Sequence, residues 1–415
     1  MPIENVKKPR VYSVEFWRFA FTIIVMLYHL EIYYQRKIMP SGTAAVEFFF
    51  ILAGFTIAMT AAGKTIASGG ELSAKESHLA ALSYLKKKLV TIYPLLALAL
   101  IFAIVVVPMT GSVFSVTPNS ATVGFWPRLL ERAKELIGIE WEWLLMVGTP
   151  MGFNEASASS APIVPLWFLT QLLVVGYLYS YLTHRKYHFM MFAAPLILVL
   201  GYTYFVMNSE FILDFYIKMG FLNAGTVRAL AGMAGGIAMY RIYEYIKGRD
   251  WSLLAKILFQ LLELFAIYRY WALTFRAAVS IDNFRRIPYL LIIVLMSFSN
   301  ITLLSKLLNW KFMEKLGKLS LPMYLIHFPV AALYLDFVYK LKTGANARSL
   351  PEIILRSGGT SARFQMIPLS IGDILMYTPM VIAASLLMLL LVAALRKLGT
   401  LATRSARKNH DNAGR

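Results

Sequence analysis

The chain is predicted to be an all-α polytopic membrane protein, a bundle of about ten transmembrane helices. Three observations carry this. Of 415 residues, 58% are hydrophobic and only 15% charged. Mean hydropathy is +0.61. Apolar stretches approaching the roughly 20 residues that cross a bilayer recur along the length. A membrane bundle folds as one unit, so the spans form a single domain, 14–398, between basic tails at 1–13 and 399–415.

The expected spans are 14–34, 43–62, 89–109, 163–182, 188–207, 221–241, 252–271, 287–305, 319–340 and 372–395. The first follows MPIENVKKPR, which is basic as in a signal peptide. No small-residue cleavage site follows, so an uncleaved helix is expected. The seventh span is interrupted by Lys256, Glu263 and Arg269. Net charge is +19. Its Lys and Arg cluster at span ends: 7–10, 86–88, 185–186, 241–249, 306–318 and 396–408. With ten spans these all fall on one side, which places them, and both termini, in the cytoplasm. Basic residues so placed meet anionic lipid rather than nucleic acid. The outer loops 272–286 and 342–370 are also somewhat basic. There is no cysteine, which excludes disulfides and a thiolate nucleophile.

One long outer connection, 110–162, carries WPRLLERAKELIGIEWEW, which reads as an amphipathic helix on the membrane surface. Trp126, Trp141 and Trp143 serve there either as interfacial anchors or as stacking platforms for sugar rings.

Charged residues inside spans are costly and need a role or a partner. Arg18 and His29 are eleven residues apart. That is three helical turns, so both lie on one face, separated by about 16 Å along the axis. A cation near the cytoplasm with a titratable base farther out suits a long anionic donor that enters from inside. Alternatively, Arg18 pairs with Glu15 at i−3 and His29 is a satisfied core histidine. Glu47, near the outer end of span two, is at a depth to accept an imidazole N–H from His29 and fix its tautomer. Otherwise it is a partly solvated carboxylate at a helix start. Arg228 stabilises an oxyanion, binds an acidic acceptor or balances Glu47. The neighbouring AGMAGG segment permits close packing. His327 lies two residues before Pro329, which removes a backbone bond to Leu325 and favours a kink. Asp336 and Asp373 are expected in solvent at outer span ends. His184 and His188 have i,i+4 spacing but no carboxylate or Cys beside them, so no metal is assigned.

Several of these stretches resemble the acyltransferase 3 family of membrane acyltransferases. They are the R-x10-H pattern of Arg18 and His29, VEFFFILAGF at 46–55, YLKKKLVTIYPLLALAL at 84–100, LGKLSLPMYLIHFPV at 316–330 and, more weakly, LWFLTQLL at 166–173. The resemblance implies a ten-helix bundle that moves an acyl group, usually acetyl from acetyl-CoA, onto a hydroxyl of a surface glycan or similar acceptor. His29 matches the family's essential histidine and Arg18 its conserved arginine. Lys88 and Thr91 fall where the family often has R-x-x-R, a basic pair thought to bind CoA. Thr91 departs from that pattern, and Lys86 and Lys87 are the residues placed to compensate. Ala53 stands where the family prefers serine.

On this reading a multi-pass cytoplasmic-membrane enzyme is expected. Arg18, Lys86, Lys87 and Lys88 bind the donor phosphates, and His29 is the general base, oriented by Glu47. Arg228, His327, Trp126 and Trp141 are held for the acceptor or oxyanion. The acyl-CoA is the donor, membrane lipid is the surrounding partner, and no metal takes part. A glycan or lipid transporter that uses the same charges as a substrate or proton path is the alternative.

Overall fold

The computed structural model describes residues 11–31, 38–109, 126–127, 130, 166–208, 218–220, 222–276, 280–343 and 370–413. The helices are α1 (Tyr12–Glu31), α2 (Ala45–Ser68), α3 (Ala74–Met109), α4 (Leu166–Arg185), α5 (Tyr187–Asn208), α6 (Ala224–Ile246), α7 (Leu253–Thr274), α8 (Ser280–Ser299), α9 (Leu303–Leu308), α10 (Met313–Thr343) and α11 (Ile371–Ala413). Every expected span overlaps one of the long helices. Six of the described helices are long and apolar enough to cross a membrane: α1, α2 with its preceding turn, α4, α5, and parts of α10 and α11.

Local sequence sets the ends. Ser73 and Glu76 cap α3 reciprocally: the Glu76 carboxylate accepts from the Ser73 N–H at 2.9 Å, and the Ser73 hydroxyl accepts from the Glu76 N–H at 3.3 Å. The helix therefore begins fifteen residues before the apolar stretch predicted at 89–109. Gly69, at φ 69°, closes α2 in the left-handed conformation. Asn300, at φ 53°, stops α8. The expected span 287–305 accordingly breaks into α8 and the short α9. In α7, Glu263, Ala266, Tyr270, Leu273 and Thr274 are buried. This narrow stripe at helical spacing seats the charged helix against the bundle.

The core lies where α2 packs on α6 and α1 packs on α10, with α4 closing against α2 and α3. A Cβ on Gly54 would collide with the Met233 carbonyl oxygen, and one on Gly236 with the Ile51 oxygen and Phe55 nitrogen. The two backbones thus touch, as small-residue stripes allow. Gly236→Val is expected to cost about 1–3 kcal/mol through overpacking, read as a lower unfolding temperature in detergent. An unchanged transition would mean that α2 and α6 do not cross this closely.

Asp373 is a correction. It is 4% exposed rather than solvated. It accepts from the Tyr334 hydroxyl at 2.7 Å and from the Ser370 N–H and hydroxyl, each at 2.7 Å. A serine three residues before it makes it the inward half of a helix cap. The side chain of Asp336 lies outside the described residues. His184 and His188 end up on different helices, because the chain breaks between Arg185 and Tyr187.

Candidate active site

Arg18 projects from α1 into a cavity of about 720 Å³. Its guanidinium bonds the Glu15 carboxylate at 2.7 Å, and its side chain remains 31% exposed. Arg18 thus makes the expected i−3 pair and also lines a cavity. Lys87, Lys88 and Thr91 from α3 lie on the same wall. Lys86 does not, and is exposed. Successive helix residues are turned by about 100°, and of the three expected lysines Lys87 and Lys88 line the cavity. The Thr91 hydroxyl donates to the Lys87 carbonyl at 2.8 Å. Counting Glu15, the mouth carries a surplus of positive charge. Deeper in, the wall turns apolar, with Phe49, Ala53, Phe168 and Tyr324. Phe168 packs its ring against Phe49 at 5.9 Å and against Tyr324 at 5.6 Å. The three rings thus pack in series on the lining.

Beyond them stand two histidines. His327 Nε2 lies 3.1 Å from His29 Nδ1, with the ring centroids 5.0 Å apart. His327 Nδ1 faces the carbonyls of Tyr324 at 2.7 Å and Met323 at 3.2 Å. A carbonyl only accepts, so Nδ1 of His327 carries the proton and its Nε2 is an acceptor. His29 Nδ1 faces the Val25 carbonyl at 2.9 Å, so it too is the protonated nitrogen. It shares that proton between the carbonyl and His327 Nε2. The lone pair of His29 then sits on Nε2. The Tyr377 hydroxyl holds the backbone next to the proline by donating to the His327 carbonyl at 2.9 Å. His327 is completely buried.

Glu47 does not orient His29, which corrects the expected hydrogen bond. Its Oε1 accepts from Arg228 Nε at 2.5 Å, with the two side chains 0% and 1% exposed. Its other oxygen accepts from the Tyr202 hydroxyl. The guanidinium also donates to the Thr43 carbonyl at 3.4 Å and sits 4.8 Å over the Trp167 ring. Gly232, whose Cβ would meet Glu47 Oε2 at 3.2 Å, leaves room for the carboxylate on the α6 side. A buried guanidinium holds a carboxylate more strongly than a neutral imidazole does. Among the expectations for Arg228, balancing Glu47 is the one the structure gives. Trp126 is 74% exposed, and Trp141 lies outside the described residues.

Sequence reasoning did not single out Thr22, Ser320, Tyr324 or Tyr202. Thr22 had a signal, since it follows Arg18 by four residues on the same helix face. Ser320 precedes His327 by seven residues, which is again one face. Tyr202 had none, because its partner Glu47 is three helices away in sequence.

A family model described as an acyltransferase domain matches residues 11–397. No curated protein and no solved structure matches the chain.

Proposed function

The chain belongs to the acyltransferase 3 family, and from that premise we propose that it transfers an acyl group, acetyl by first choice, from acyl-CoA to a hydroxyl of an extracytoplasmic glycan or similar surface acceptor. The observation that supports this reading is the sequence of features along α1. A cavity carrying Arg18, Lys87 and Lys88 leads toward an imidazole whose free nitrogen is held in the basic tautomer.

In this scheme ten spans set both termini in the cytoplasm, and the basic mouth opens there. The CoA phosphates meet Arg18, Lys87 and Lys88 as charge-assisted partners. The pantetheine arm enters the apolar interior, and the ring cluster of Phe49, Phe168 and Tyr324 shifts to admit it. His29 Nε2 takes the proton of the acceptor hydroxyl as its oxygen attacks the thioester carbonyl carbon. The C–S bond then breaks, the ester is formed, and the imidazolium returns its proton to the leaving thiolate. As His29 becomes charged, its Nδ1–H bond to His327 Nε2 becomes charge-assisted and stronger. His327 thus supports the transition state without touching substrate. The Glu47–Arg228 pair fixes the α2–α6 crossing beside this site.

The test uses purified protein in detergent with acetyl-CoA labelled in the acetyl group. Thiol release, slow without an acceptor and faster with a hydroxyl acceptor that gains label, is the expected result. Intact thioester in every condition, with a glycan or lipid instead accumulating across proteoliposomes, would overturn the proposal in favour of a transporter.

A further inference from the structure

Two hydroxyls face the cavity between its basic mouth and the imidazole pair. Thr22 on α1 and Ser320 on α10 both line it. They are buried, at 0% and 2% exposure, and their oxygens are 2.7 Å apart. The Thr22 hydroxyl donates to the Arg18 carbonyl at 2.8 Å. Ser320 Oγ lies 3.2 Å from the same carbonyl, so whichever hydroxyl donates to the other, the Arg18 carbonyl takes the second proton. Both protons are spent within the wall. What remains for a ligand is oxygen lone pairs, so the pair accepts hydrogen bonds rather than donating them. Around it the wall is apolar, with Phe49, Leu52 and Leu321. The lining also includes Thr56 and Tyr324, and a polar point set among apolar side chains fixes the orientation of whatever enters.

Its position along the axis is informative. Thr22 pairs with Ser320, and His29 with His327, at the same sequence offset of 298 residues. The helices therefore run in one constant register, and the two pairs are seven residues, about 10 Å, apart. Thr22 stands four residues, about 6 Å, beyond Arg18.

We propose that the Thr22–Ser320 pair is the subsite for the inner amide of the donor's pantetheine arm and accepts its N–H. This rests on the acyl-CoA reading above. The arm has five bonds from the phosphate-ester oxygen to the inner amide nitrogen, and eight from there to the thioester carbonyl carbon. Extended at about 1.25 Å per bond, these segments measure about 6 and 10 Å. The second matches the interval from Thr22 to His29; the first reaches back from Thr22 to the level of the Arg18 backbone, and the phosphate group itself bridges the rest of the way to the guanidinium, which is turned toward Glu15. A donor whose phosphate is at Arg18 and whose inner amide is at Ser320 presents its thioester at the level of His29.

The experiment compares three donors by thiol release from the purified protein: acetyl-CoA, acetyl-pantetheine and acetyl-N-acetylcysteamine, the last of which lacks the inner amide. Ser320→Ala is expected to raise KM for the first two by about 5- to 10-fold, the size of one hydrogen bond. Its kcat should stay within about twofold, with kinetics on acetyl-N-acetylcysteamine unchanged. Ser320→Thr keeps the oxygen and should restore KM. A loss shared equally by all three donors, or seen with none, overturns the proposal. If Ser320→Ala does not survive purification, Thr22→Val removes the relay from the other helix and is scored by the same criterion. A wild-type protein that cleaves no thioester overturns the donor reading and this subsite with it, a result distinguished by being read before any variant is made.

Discussion

His29→Gln is expected to lower acyl transfer by about 10²- to 10⁴-fold, the usual contribution of a positioned general base. The change should fall on kcat. On α1 the cavity lining runs from Val11 to Thr22, seven residues short of His29, so KM for acyl-CoA should stay within about threefold. The glutamine amide can still donate toward the Val25 carbonyl or His327, so the helix keeps its packing. A matching unfolding temperature separates lost chemistry from lost fold. The measurement is label transfer at saturating donor across pH. A variant that retains more than a tenth of wild-type kcat would remove His29 from the chemical step.

Glu47→Gln should be the most damaging change to stability. Burying a charge is tolerable when its partner is present. Removing one partner of a buried ion pair costs about 3–5 kcal/mol because the other charge is left behind. Here both side chains are essentially without solvent, and Tyr202 would also lose its charged acceptor. Replacing both members by apolar residues, Glu47→Leu with Arg228→Met, should recover most of the loss, since such exchanges are often neutral or stabilising. A double-mutant cycle read by thermal unfolding in detergent measures the coupling. Additive losses would mean that the two residues act independently. Activity of the double variant is informative as well. If Arg228 only balances Glu47, a folded double variant should retain acyl transfer.

Hydropathy located the helices well, because a lipid-facing surface forces apolar residues regardless of tertiary detail. It misplaced boundaries where polar residues continue a helix into water. The first fifteen residues of α3 are of this kind, and there the Ser73–Glu76 cap was the readable signal. The α8 break at Asn300 was not readable, because asparagine in a left-handed turn leaves no trace in hydropathy. The face shared by Arg18 and His29 came directly from helical periodicity. The partner of Glu47 did not. Periodicity says which residues share one side of a helix, but not how far neighbouring helices are rotated about their own axes. That rotation turned Glu47 toward Arg228 and gave His29 another imidazole as its neighbour. Asp373 was misjudged for a related reason: a carboxylate near a span end looks solvated until the serine three residues earlier is recognised as its capping partner.

The matched offset of α1 and α10 has a consequence for how this protein can change. In the proposed scheme donor grip and chemistry are mounted on the same two shafts, and their spacing comes in whole turns. Adding or deleting a single residue between Thr22 and His29 would swing the histidine about 100° away from His327, however well the helix itself survived. Substitution can retune either station, but the length between them is frozen.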